Sequence, residues 1–174
     1  MKIAMSAGLV ALAMSGLARA EIVDQSPAGF EVRHVVAVAA PPAAVYAAIL
    51  QPARWWDSAH TYSGDAKNLT IDLATGCYCE KLPTGFVRHL TVVYADGKTL
   101  RLEGALGPLE TTGATGHLIF ATKPKDGGTE LTVTYDVGGY AKGGLAEGWA
   151  PPINRVLGEQ VARLKAQLET VKAP

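Results

Sequence analysis

Apolar residues change period twice along this chain. From Phe30 to Ala39, Val32, His34, Val36 and Val38 alternate with Glu31 and Arg33, the period of two that predicts a strand. Pro41-Pro42 then opens a short helix carrying Val45, Tyr46, Ile49 and Leu50, and a second helical turn is expected over Ala53 to Trp56. Segments this short are marginal alone and must lean on something larger. From Asn68 the period of two returns. Strands are predicted over 68–73, 77–82, 86–95, 99–104, 114–123 and 129–137, separated by Thr75-Gly76, Pro83-Thr84-Gly85, Asp96-Gly97, a loop through Gly107-Pro108, and Lys125 to Gly128. These are turn residues, and Asp-Gly is a strong hairpin signal. The last stretch, Pro151 to Lys172, sets Ile153, Val156, Leu157, Val161, Leu164, Leu168 and Val171 on one helical stripe. Its prolines suit a first helical turn, and the helix would be roughly 33 Å long.

Tight turns force antiparallel neighbours, and a sheet with one apolar face must cover it. The C-terminal helix is the element long enough to do so. The pattern therefore predicts an α+β domain over 30–172, a curved seven-stranded antiparallel sheet around the long C-terminal helix, with two short helices after the first strand. Gln160 falls on the buried side of the stripe and needs a hydrogen-bond partner there.

Composition adds limits. With 48% apolar residues the 174-residue chain has ample core material. Lys2, the small and apolar run Ile3 to Leu17, and Ala18-Arg19-Ala20 have the form of a signal peptide over 1–20 with cleavage after Ala20; an uncleaved anchor is the alternative. Residues 21–29 read as a flexible lead. Cleavage removes Lys2 and Arg19, taking 16 basic residues to 14 against 16 acidic. That balance argues against a nucleic-acid partner, and after cleavage no stable membrane insertion is expected. A monomer in the periplasm or outside the cell is the expectation.

The strand-to-helix join Val38 to Tyr46, Pro52 to Trp56, Gly76 to Leu82, Arg88-His89, Gly104 to Leu109, Gly138-Gly139-Tyr140 and Val156 to Gln160 together resemble the START/polyketide-cyclase-like (SRPBCC) superfamily, in its bacterial cyclase/dehydrase and heat-shock-ATPase-activator-like branches. The resemblance spans Phe30 to about Leu168. It implies the helix-grip fold, with a cavity between sheet and helix. Activity does not follow from it, because that superfamily hosts carriers, cyclases, hydrolases and co-chaperones.

Candidate chemistry is sparse. Trp55 and Trp56 are candidates for an aromatic wall at a pocket mouth. Adjacent side chains do not readily point the same way, so one ring is expected to plug the sheet end and the other to sit half exposed. His89 is the preferred polar group of the cavity and His117 the second, although apolar residues occupy both faces of their strands. Tyr135 shares the apolar face of the last strand. Tyr140, in a glycine-rich connector, and Trp149 are candidate lids. Gln160 completes the set. Cys77 and Cys79 share a strand face about 6.5–7 Å apart, so two buried thiols are expected and a bridge would need a bulge. No metal or cofactor is called for, since neither a metal-ligand spacing nor a P-loop or nucleophile elbow occurs. Asp57, Glu80, Glu103, Glu110 and Glu147 read as scattered acids. Asn68-Leu69-Thr70 fits a glycosylation sequon of little weight. Two functions remain: an exported protein holding a small hydrophobic or lipid-like ligand, and a cyclase-, dehydrase- or hydrolase-like enzyme using a cavity histidine or tyrosine as acid or base. A co-chaperone of a cytosolic ATPase fits an exported chain poorly.

Overall fold

A computed structural model describes residues 19–170. Eight strands form one antiparallel sheet: β1 (Arg19–Ser26), β2 (Gly29–Val38), β3 (Leu69–Asp72), β4 (Cys77–Leu82), β5 (Gly85–Ala95), β6 (Thr99–Glu103), β7 (Gly113–Lys125) and β8 (Gly128–Tyr140). Their order across the sheet is β1-β2-β8-β7-β6-β5-β4-β3. Helix α1 (Pro42–Ile49) follows β2, and α2 (Ala146–Thr170) closes the fold. Single 3₁₀ turns at Pro52–Arg54, Ser58–His60 and Ala66–Asn68 lead into β3, and another at Gly107–Thr111 joins β6 to β7.

The seven strands expected from periodicity are β2 to β8. The eighth is a correction: Glu21 to Ser26, read as a flexible lead, pairs with β2 from Arg19↔Val35 to Ser26↔Gly29. Its polar residues mark an edge strand, where one face and one hydrogen-bonding side stay in water. The proposed signal peptide lies almost wholly outside the described residues.

Alternation sorts the side chains as expected. On β2, Phe30, Val32, His34, Val36 and Val38 are buried, and on β8 Leu131, Val133, Tyr135 and Val137. Helix α2 lies across the concave face, chiefly on β2 and β1. Leu157, Val161 and Leu164 are its large buried apolar side chains, worth about 1.5–3 kcal/mol each. The helix begins earlier than expected, at Ala146, and Pro151 and Pro152 fall inside it. Val171 lies outside the described residues. The sheet's far side, β3 to β5, diverges from α2 and leaves a space beneath the helix's first turns.

At Gly158, α2 comes close to β2. A Cβ there would lie 3.1 Å from Cε1 of the buried His34 ring. Burial pushes the His34 imidazole below its ordinary pKa, against partial compensation from Asn154 of α2. Among the described residues, no helix is long and apolar enough to cross a membrane.

Candidate functional site

The space beneath α2 is a cavity of about 400 Å³. Leu69 of β3, Tyr78 of β4, His89 of β5 and Tyr135 of β8 face it from the sheet; Trp149 and Ile153 face it from α2. Trp56 and Tyr62 come from the segment after α1, and Leu106 to Pro108 from the β6–β7 connection. A mostly apolar concavity of this size with few polar groups is the usual form of a small-molecule site.

A β-bulge decides which way His89 points. Tyr78 pairs with Leu90 and Cys79 with Arg88, so His89 is the extra residue of β5. The strand cannot alternate there, and His89 and Leu90 are both buried. Bulges re-aim side chains in this manner, which is why strand alternation alone left the direction of His89 open. The His89 ring stacks on Tyr62 with centroids 5.9 Å apart and tilts against Tyr78 at 5.6 Å.

Glu80, read from the sequence as a scattered acid, is the partner of His89. It is fully buried, and its Oε2 lies 2.9 Å from His89 Nε2. The same carboxylate accepts from the backbone N–H groups of Tyr62 and Ser63. Burial alone would push the carboxyl up, but the bonds from Ser63, His89 and Tyr62 together hold it below the usual carboxylate range. Glu80 is thus an anion, so His89 donates from Nε2. Its Nδ1 is buried and has no protein partner. Tyr78 is raised by burial and by the charge of Glu80, and Tyr135 is pushed up by burial to about 12; both stay neutral phenols. The Tyr135 hydroxyl accepts from Leu106 N at 2.9 Å and donates to Gly104 O at 3.1 Å. Gly104 turns that carbonyl inward with φ +140°, a conformation costly for other residues.

The rim segment Asp57–Ser63 is fastened at both ends. Glu80 holds Tyr62 and Ser63. At the other end Gln160 Oε1 accepts from Asp57 N at 2.7 Å, and Arg163 Nε donates to Trp55 O at 2.9 Å. Gln160 therefore finds its partner in backbone, and it does not line the cavity. At the mouth, Tyr62 is half exposed; its hydroxyl, raised by burial and then by its hydrogen bond to Glu110, reaches toward the Gly107–Thr111 turn. His60 pairs with Glu159 of α2 at 3.3 Å.

Several expectations are corrected. Trp55 and Trp56 are both buried. The chain leaves the Pro52–Arg54 turn with Trp55 at φ −133°, so both rings turn inward, 5.5 Å apart. Only Trp56 lines the cavity; Trp55 packs on Phe120 and donates Nε1–H to Ala48 O. His117 does not face the cavity: it pairs with Asp136 at 3.5 Å on the outer face, because its strand alternates regularly and buries Gly116 and Leu118 instead. Tyr140 is no lid; β8 continues through it, pairing it with Gly113, and it is 73% exposed. Cys77 and Cys79 are disulfide-bonded rather than free. Their Cα atoms are 5.4 Å apart, closer than in a flat strand, beside the bulge at His89. His89, Tyr135 and Trp149 do line the cavity. Among the described residues no three His, Cys, Asp or Glu side chains gather as a metal-binding set.

The family model described as polyketide cyclase/dehydrase and lipid transport matches residues 29–169. Solved structures share the fold at low identity. A conserved protein of unknown function, EF2215 from Enterococcus faecalis, has a TM-score of 0.56 at 16% identity, over 90% of this chain and 80% of its own. The Aha1 dimer from Colwellia psychrerythraea gives 0.51 at 17%, over 82% and 98%. Ara h 8.0201 gives 0.54 at 10%, over 82% and 99%. No curated protein matches the sequence.

Proposed function

Since the chain belongs to the polyketide cyclase/dehydrase and lipid transport family, we propose that it is an exported binding protein holding one small hydrophobic molecule between sheet and α2. The observation that carries this reading is the cavity itself: about 400 Å³, walled by Trp56, Tyr78, Tyr135 and Trp149, with His89 in the wall and Glu80 buried behind it. Its rim is tied down at Gln160 and Glu80, so little ordering remains to be done on binding. Export rests on the N-terminal sequence. The Cys77–Cys79 bond suits an oxidising compartment. Cleavage after Ala20 would leave Glu21 to Ser26 paired in β1. We take the working form to be a monomer.

Native mass spectrometry of the chain purified from its own host tests the proposal. An apolar adduct at one per chain, diminished in an Ile153→Trp variant that intrudes on the cavity, is the expected result. A cavity that arrives empty and takes up no apolar probe would overturn it.

A second reading has one specific support. A carboxylate that fixes the tautomer of an imidazole is also the arrangement of a general base and its orienting group. Under that reading Glu80 holds His89 with its Nδ1 lone pair free, and a turnover lost in His89→Ala with binding retained would establish an enzyme.

A further inference from the structure

We infer that the cavity selects an uncharged apolar molecule bearing a hydroxyl group, which donates to His89 Nδ1, and that it rejects carboxylates. This rests on the binding reading above and specifies its ligand. His89 Nε2 is committed to Glu80. In the neutral imidazole, with the Nε2 proton given to the anionic Glu80, Nδ1 is left as an acceptor. That acceptor is buried without a partner on a ring that lines the cavity. A buried polar atom without a partner is costly; Nδ1 is covered by protein atoms, so a small turn of the ring brings it to a ligand O–H that satisfies it.

The charge distribution removes the alternative. Among the described residues no lysine or arginine lines the cavity. The carboxylates around it are Glu80 behind His89, Glu110 beside Tyr62 and Glu159 on His60. His60 is the other histidine at the mouth, and Glu159 already pairs it. A carboxylate entering here would lose its water, gain no counter-ion and face a buried negative charge. A fatty acid or other anionic lipid is therefore the wrong ligand. A neutral phenol or alcohol keeps the apolar contacts and adds one hydrogen bond.

The test is a matched series, naphthalene, 2-naphthol and 2-naphthoate, titrated into the full mature chain at neutral pH, where the naphthol is uncharged. Binding is read from the fluorescence of Trp56 and Trp149. The naphthol should bind roughly 3- to 10-fold more tightly than naphthalene, the worth of one net hydrogen bond. The naphthoate should bind at least about 10-fold more weakly than naphthalene. In His89→Phe the ratio of naphthol to naphthalene affinity should fall to about one, whatever the absolute affinities become. The wild-type comparison stands even if that variant fails to fold. Equal binding of naphthoate and naphthol, or a naphthol preference that survives His89→Phe, overturns the inference and leaves the binding proposal intact. Failure of all three to bind overturns both.

Discussion

Replacing Glu80 by glutamine changes one atom and one charge, yet it should cost the fold more than most surface substitutions. The carboxylate accepts three bonds: Tyr62 N–H at 3.1 Å and His89 Nε2–H at 2.9 Å on one oxygen, and Ser63 N–H on the other. The amide offers one oxygen. Its best arrangement keeps that oxygen on Tyr62 and His89 and turns its NH₂ toward the Ser63 N–H. One charge-assisted bond is then lost, two are weakened, and a backbone donor is left facing another donor. We expect Glu80→Gln to destabilise by about 2–4 kcal/mol at neutral pH, less than the stability of a typical domain, so the variant still folds. The sign with pH follows from the depressed carboxyl. Its folded value lies below its unfolded one, near 4.5. The stability it contributes is therefore complete above that pH and lost as the pH falls through the folded value. Urea denaturation followed by tryptophan fluorescence, run on both proteins from neutral pH down through about 4.5, should show a gap that narrows in acid. The other acids are common to both chains and cancel. A variant within about 0.5 kcal/mol of wild type, the range of an ordinary surface change, or a gap independent of pH, would refute the role given to this carboxylate.

Other outcomes follow from the same structure. Leu164→Ala should cost about 2–5 kcal/mol because Leu164 is fully buried, and Leu164→Asp should abolish cooperative unfolding in calorimetry; a soluble, cooperatively melting Asp variant would contradict the packing of α2. His34 is lowered in the fold, so stability is complete above its ordinary 6.5 and declines as the pH drops below it, by up to about 1.4 kcal/mol per pH unit. His34→Gln should lose that component in pH-dependent urea melts, and an unchanged slope would count against it. Thiol titration of the denatured, unreduced chain should find no free cysteine, and two after reduction; two thiols before reduction would remove the disulfide.

The sheet was legible because both of its faces impose a period. Seven strands and a long amphipathic helix leave that signature whatever their neighbours are. β1 left little, since it offers chiefly Ile22 to the core and leaves Val23 to Ser26 exposed. The site was legible only where it is apolar. Tyr135 belongs to a periodic strand, and its period places it. Trp149 lies ahead of the stripe that begins at Pro151 and reads only as a candidate lid, because the helix starts one turn earlier, at Ala146. Glu80 escaped notice because two of its three partners are backbone N–H groups 17 and 18 residues upstream, and backbone donors have no sequence signature. His89 was named as a candidate, but its direction hangs on one extra residue in β5, which no alternation pattern reveals. Trp55 and Trp56 were judged by strand and helix geometry, whereas an irregular exit from a 3₁₀ turn sets their rings.

Pro151 and Pro152 lie inside α2, and neither can donate to the carbonyl four residues before it. The turn Ala146–Ala150, which carries Trp149, is thus joined to the rest of the helix by fewer backbone bonds than any later turn. Its amide protons should exchange with solvent well before those of Leu157 to Leu164, through local opening rather than global unfolding. Such breathing would swing Trp149 off the cavity while the remainder of α2 stays seated on β2. If the cavity holds a ligand as proposed, the two prolines would set its residence time, through how often this first turn opens.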